Sequence, residues 1–147
     1  MITDEIKYLY VDGTYFTMRM TDSIEKVCVL VVIGVDKNGH KHILALQAGD
    51  KESASNWREL FKDLKSRGLD GSKIELGIMD GLPGLEKVFE EEFKNAKVQR
   101  CQVHLARNIL AKTPHKIKQE VADDLRSVFY ATTRKKADEF YKIFERK

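Results

Sequence analysis

Val27-Cys28-Val29-Leu30-Val31-Val32-Ile33-Gly34-Val35 is the run that decides the fold. It is β-branched and leucine-rich almost throughout. A half-exposed strand would place a polar residue at every second position, so this one reads as a strand buried on both faces. Asp36-Lys37-Asn38-Gly39 carries turn chemistry after it. His40 to Ala48 follows as another strand, with Ile43 and Ala45 on one face. Upstream, Ile6 to Val11 is apolar and aromatic and runs into Asp12-Gly13. Three strands joined this closely predict an antiparallel meander.

Beyond residue 50 the period changes. Trp57, Leu60, Phe61 and Leu64 follow the i, i+3, i+4, i+7 spacing of an amphipathic helix, with Trp57 on the core stripe. Asp50 or Ser53 can cap its start and Gly68 ends it. Ile74, Leu76 and Ile78 alternate as a short strand that stops at Asp80-Gly81. Leu85, Val88, Phe89 and Phe93 mark a second helix, and Lys97 to Cys101 a fifth strand. The rest reads as helical: Leu105 to Lys112 up to the breaker Pro114, then Ile117 to Phe129, then a helix on Ala137, Phe140, Tyr141 and Phe144 with Thr133 as its cap. The expected class is α/β, a mixed five-stranded sheet in the order βββαβαβ followed by C-terminal helices. That order is shared with ribonuclease H-like domains; the periodicity supplies the elements, and the fold name is an analogy laid over them. The expected division is a core over residues 1–102 and a helical segment over 103–147.

A chain of 147 residues with 42% apolar and 33% charged residues suits one soluble globular core. No apolar run approaches the ~20 residues of a membrane span, so no membrane partner is expected and a cytoplasmic location is. Cys28 and Cys101 are too few for a disulfide framework and read as thiols. The net charge of +3 is unevenly placed. Met1 to Ala96 holds 13 basic and 17 acidic residues, whereas Lys97 to Lys147 holds 13 and 6. A basic C-terminal third points toward nucleic acid, or equally toward a lysine-rich solvated helical surface.

Asp12 and Asp80 stand out because each follows an apolar strand and precedes a glycine. A carboxylate at a strand end can reach solvent and a metal, and the glycine eases the turn and the approach of a substrate. If the first and fourth strands are neighbours, the two charges meet and repel, and a hard divalent cation relieves them. Asp-Gly is also an ordinary turn pair. Cys101-Gln102-Val103-His104 offers two zinc-type ligands. A closed zinc site needs four, and Cys28, His40, His42 and His115 supply no matching pair, so no zinc is expected. Arg107-Asn108 can contact phosphate or can be plain helix surface.

The ordered set Tyr10-Val11-Asp12-Gly13, Gly49-Asp50-Lys51-Glu52-Ser53 with Trp57, Leu64-Lys65-Ser66-Arg67-Gly68-Leu69, Met79-Asp80-Gly81 with Gly84-Leu85, and Gln99-Arg100-Cys101-Gln102-Val103-His104 with Arg107-Asn108 resembles the Mutator-type transposases of bacterial insertion sequences. The resemblance runs from about residue 8 to residue 130. It implies a ribonuclease H-like catalytic domain with an Asp-Asp-Glu triad that uses Mg²⁺ or Mn²⁺. Asp12 would be the first member and Asp80 the second, both as catalytic residues and as metal ligands. Cys101 and His104 would be the family's Cys-x-x-His signature, and the helices after His104 the start of a helical insertion. Double-stranded DNA, as transposon end and as target, would be the partner. Arg100, Arg107, Asn108 and Lys112 would touch its backbone, in a homo-oligomer acting at the bacterial nucleoid.

The third acidic member is not visible. Glu120, Glu139 and Glu145 lie in helices that resemble the insertion, and no DNA-binding region precedes Asp12. The expectation is therefore a truncated core, inactive by itself. A metal-dependent nuclease of the same architecture and a non-catalytic DNA-binding or dimerisation remnant are the competing readings.

Overall fold

The computed structural model describes residues 1–49 and 53–146, with the backbone alone for Gly49 and Pro83. Asp50, one of the two proposed caps, lies outside the described residues. The chain forms two compact units, Met1–Arg100 and Cys101–Lys147.

The first unit holds β1 (Ile6–Arg19), β2 (Ile24–Asp36), β3 (Lys41–Gly49), α1 (Ala54–Ser66), β4 (Leu76–Met79), α2 (Pro83–Glu92) and β5 (Lys97–Arg100). The five strands form one sheet in the order β3-β2-β1-β4-β5. β1 pairs antiparallel with β2, and β2 with β3, which is the expected meander. β4 pairs parallel with β1 and with β5. Parallel neighbours need a crossover, and α1 and α2 supply it. This is the ribonuclease H-like sheet order.

Both helices bury their apolar stripes with one face of the sheet. Trp57, Leu60, Phe61 and Leu64 of α1 and Leu85, Val88 and Phe89 of α2 join Leu9, Val11, Leu30, Val32 and Met79 in one core. Aromatic rings form its centre. Phe61 meets Phe89 and Phe93 edge-on, with centroids at 5.8 and 5.2 Å, and stacks on Trp57 at 5.8 Å. Such pairs add about 0.5–1.5 kcal/mol each beyond burial. Around the rim, Arg58 pairs with Glu91 and Glu92, and Lys65 Nζ donates to Glu92 Oε2 at 2.8 Å, joining α1 to α2. Ser53 Oγ accepts from Asn56 N and caps α1. Gly68, at φ +107°, ends the helix as expected.

Two expectations about strand faces need correction. β2 alternates: Cys28, Leu30 and Val32 are buried, whereas Val29, Val31, Ile33 and Val35 are only half-buried. Its unbroken apolar run therefore supplies one core face and one apolar but accessible face. Ile43 and Ala45 do not share a face. The β2–β3 register shifts at Val32/Ile33, so Ala45 stands opposite buried Val32 and Ile43 opposite Ile33. The extra residue is Leu44. It folds over Gly34, where a Cβ would lie 2.7 Å from Leu44 Cδ1. A bulge of this kind inverts the in-out alternation; Ala45 is 8% exposed and Ile43 75%.

The β2–β3 turn is closed by Asp36. Its Oδ1 accepts from Asn38 N at 2.8 Å and His40 N at 3.0 Å, and its Oδ2 from His42 Nε2 at 2.9 Å. The His42 hydrogen bond first, then the two backbone donors, hold the Asp36 carboxyl down at about 2, against the opposing effect of burial. A carboxyl depressed in the folded state stabilises it above the unfolded value of 3.8, and that contribution fades as pH falls from there through about 2. Denaturant unfolding between pH 5 and pH 2 is therefore expected to show a loss of stability that is smaller in Asp36→Asn. Parallel curves for the two proteins would contradict it.

The second unit contains α3 (Gln102–Lys112), α4 (Lys118–Phe129) and α5 (Arg134–Glu145). Thr133 caps α5 as expected, its Oγ1 accepting from Lys136 N at 3.2 Å. Its buried residues are few: Val121 and Leu125 of α4. The expected stripe of α5 stays largely open, with Phe140 37% and Tyr141 50% exposed. Among the described residues no helix is long and apolar enough to cross a membrane.

Candidate active site

The parallel β1–β4 ladder runs in register from Tyr8↔Leu76 to Val11↔Met79. Asp12 and Asp80 are the next residues along the chain. Neighbouring strands lie about 4.8 Å apart, so the last rung, Val11↔Met79, brings together the two backbones that lead into Asp12 and Asp80. Val11 and Met79 are buried, at 2% and 1% exposure, while Asp12 and Asp80 are half-buried. The core residues thus fix the register, and the acidic residues follow from it.

The two aspartates reach this point differently. β4 ends at Met79, so Asp80 sits at a strand end as expected. Asp12 does not. β1 continues to Arg19, and Asp12 remains paired with Val31 of β2. What stops at Asp12 is the partner on the other side, β4. The Asp12-Gly13 pair is therefore not a turn. Cross-strand pairing with β2 carries it straight through. Gly81 makes no turn by special backbone either, since among the described glycines only Gly39 and Gly68 have positive φ. Its N–H donates to Asp80 Oδ1 at 2.8 Å. That bond holds one of the two carboxylate oxygens.

The donor chemistry fits a hard divalent cation: two carboxylates on adjacent strands, with no thiol or imidazole in the pair. Among the described residues no group of three or more His, Cys, Asp or Glu is placed to hold a metal. The site offered by these strands is a pair. Cys101 precedes α3 as a half-buried thiol, and His104 lies in that helix's first turn. Arg107, Asn108 and Lys112 are exposed along α3. Arg107 and Arg126 border a groove of about 300 Å³ between α3 and α4, lined by Ala106, Leu110 and Leu125. Arg100 ends β5 in the other unit, opposite Met79. The four expected DNA contacts are thus divided between the two units.

The register also brings Arg100 against Gly81, a contact that no local pattern announces. A Cβ on Gly81 would lie 2.8 Å from Arg100 Nε and 2.9 Å from its Cζ. Only the pairing of β5 with β4 makes residues 81 and 100 neighbours.

Sheet order and crossovers define the class, an α/β core of the ribonuclease H-like type. The Mutator-family transposase profile matches residues 2–147, and the chain belongs to that family. It is similar to the transposase for insertion sequence element IS6120 of Mycolicibacterium smegmatis, 35% identical over 94% of this chain and 42% of that protein. It is also similar to the transposase for insertion sequence element IS1201 of Lactobacillus helveticus, 31% identical over 86% of this chain and 34% of that one. The chain thus spans less than half the length of these relatives. Among solved structures it is similar to the HTLV-2 integrase catalytic core domain in complex with magnesium, with 16% identity, a TM-score of 0.47, and coverage of 81% of this chain and 83% of that chain.

Proposed function

We propose that this chain is the part of a Mutator-type transposase that carries its first two catalytic carboxylates, Asp12 and Asp80, and that they hold Mg²⁺ or Mn²⁺ while a DNA phosphodiester is cut and rejoined. The observation that supports this reading is the parallel β1–β4 register, whose last pair, Val11↔Met79, immediately precedes the two aspartates. A bound divalent ion supplies Lewis acidity and an activated water or hydroxyl at neutral pH. The chain's own residues do the placing. The β1–β2 ladder holds Asp12, and the Gly81 N–H orients Asp80. A third acidic ligand, contributed from elsewhere in the intact transposase, completes the set. Cys101 and His104 are the family signature at the start of α3, and α3 to α5 open the helical insertion. Double-stranded DNA, both transposon end and target, is the partner. Arg107, Asn108 and Lys112 meet its backbone, and the enzyme acts as a homo-oligomer on chromosomal DNA in the cytoplasm.

The test is Mn²⁺ binding to this chain, followed by electron paramagnetic resonance. Weak binding is expected, because two carboxylates leave most of the ion's ligands to water. Asp12→Asn and Asp80→Asn should each weaken it about tenfold, one pair of opposite charges being worth a few kcal/mol at most at this exposure. Equal binding by the native chain and both variants would sink the reading.

A further inference from the structure

Gly81 has negative φ, so backbone freedom does not call for glycine there. Space does. A Cβ at this position would meet Arg100 Nε, Cζ and Nη2 at 2.8, 2.9 and 3.1 Å. Three nearly equal distances mean that the plane of the guanidinium, rather than its edge, lies against the Gly81 α-carbon. Its N–H donors then point sideways, away from the backbone it covers.

Arg100 is exposed, and its side chain makes no ion pair or hydrogen bond among the described residues. Its carbonyl accepts from Gln99 Nε2 at 3.0 Å. The fold thus seats a permanent positive charge on the residue after Asp80, with no ion pair to it among the described residues. A phosphodiester brought to Asp12 and Asp80 adds a negative charge to two others. The Arg100 guanidinium lies against Gly81, the residue next to Asp80, and its planar fork suits two phosphate oxygens.

We propose that Arg100 grips a backbone phosphate of the DNA strand lying at the Asp12–Asp80 pair, and that Gly81 is a positioning residue whose missing side chain holds the guanidinium at that place. This deepens the preceding reading and rests on it for the identity of the strand. It also couples two motifs that the sequence separates by nineteen residues, Asp80-Gly81 and Arg100-Cys101.

The experiment measures binding of this chain to a short fluorescein-labelled duplex of arbitrary sequence by anisotropy, with chelator present, over a range of salt. Arg100→Ala should weaken binding several-fold and lower the slope of log K against log salt by about 1, the signature of one lost phosphate contact. Gly81→Ala should lower the slope similarly although the arginine remains, because the methyl displaces the guanidinium. The Gly81→Ala/Arg100→Ala double variant should bind no more weakly than Arg100→Ala. Arg100→Lys should keep the slope and lose part of the affinity. The clash is with the end of a flexible side chain, so unfolding curves should match the native protein. A native-like slope in Gly81→Ala, additive losses in the double variant, or no duplex binding by the native chain would each overturn the proposal. Because metal is chelated, these outcomes are independent of the Mn²⁺ test. Coupling of Gly81 and Arg100 on DNA with Mn²⁺ binding unaffected in the aspartate variants would retain the phosphate grip and reject the metal assignment.

Discussion

Asp80→Asn in an intact Mutator transposase carrying this core is expected to lower strand transfer about a thousandfold or more without unfolding the protein. The amide keeps the shape of the side chain, and its oxygen can still accept the Gly81 N–H that Asp80 Oδ1 accepts at 2.8 Å. What it removes is the negative charge. Groups that hold one ion act as a unit, so removing one costs nearly as much as removing all. For the same reason Asp12→Asn should match it, and the double variant should be no worse than either single one. The measurement is joined product from a labelled transposon end with Mg²⁺ or Mn²⁺, alongside thermal unfolding. A variant retaining a tenth of native activity would remove Asp80 from the catalytic set.

Gly77→Ala is expected to destabilise the first unit by about 3 kcal/mol, at the upper end of the cost of overpacking a core. A Cβ at residue 77 would sit 2.3, 2.6 and 2.8 Å from Phe89 ring atoms. Neither side can yield. Gly77 is in β4, which is paired with β1 on one side and β5 on the other. Phe89 is fully buried, with its ring centroid 5.8 Å from that of Phe61 and 4.8 Å from that of Phe93. For a unit of this size the melting temperature should fall by more than about 10 °C. Phe89→Leu is destabilising by itself, yet in the Gly77→Ala background it removes the clash, so the double variant should be more stable than the sum of the two losses predicts. A Gly77→Ala protein melting within a few degrees of the native one would show that β4 and α2 are not packed as described. Gly77 lies three residues before Asp80, so the contact that seats α2 also sets the strand that carries the second aspartate.

Local pattern determined a good deal of this protein. The spacing of Trp57, Leu60, Phe61 and Leu64 specifies a helix and its buried face, because a 3.6-residue period leaves one apolar stripe to hide. Ser53, Gly68 and Thr133 announce helix ends through chemistry confined to one turn: a side-chain acceptor for loose N–H groups, or a backbone at positive φ. Asp12 and Asp80 stand out as carboxylates beside glycines after apolar strands, a pattern that equally suits a turn, and it is the family resemblance that singles them out. Relations between distant residues belong to the tertiary structure. The bulge at Leu44 sends Ile43 and Ala45 to opposite faces, since register depends on the partner strand rather than on the alternation within β3. Asp12-Gly13 reads as a turn yet runs straight through, because pairing with β2 outweighs a local preference worth far less than the ladder. Arg100 reaches Gly81 only because β4 and β5 are parallel neighbours in register, joined by a helix whose own sequence carries no trace of the contact.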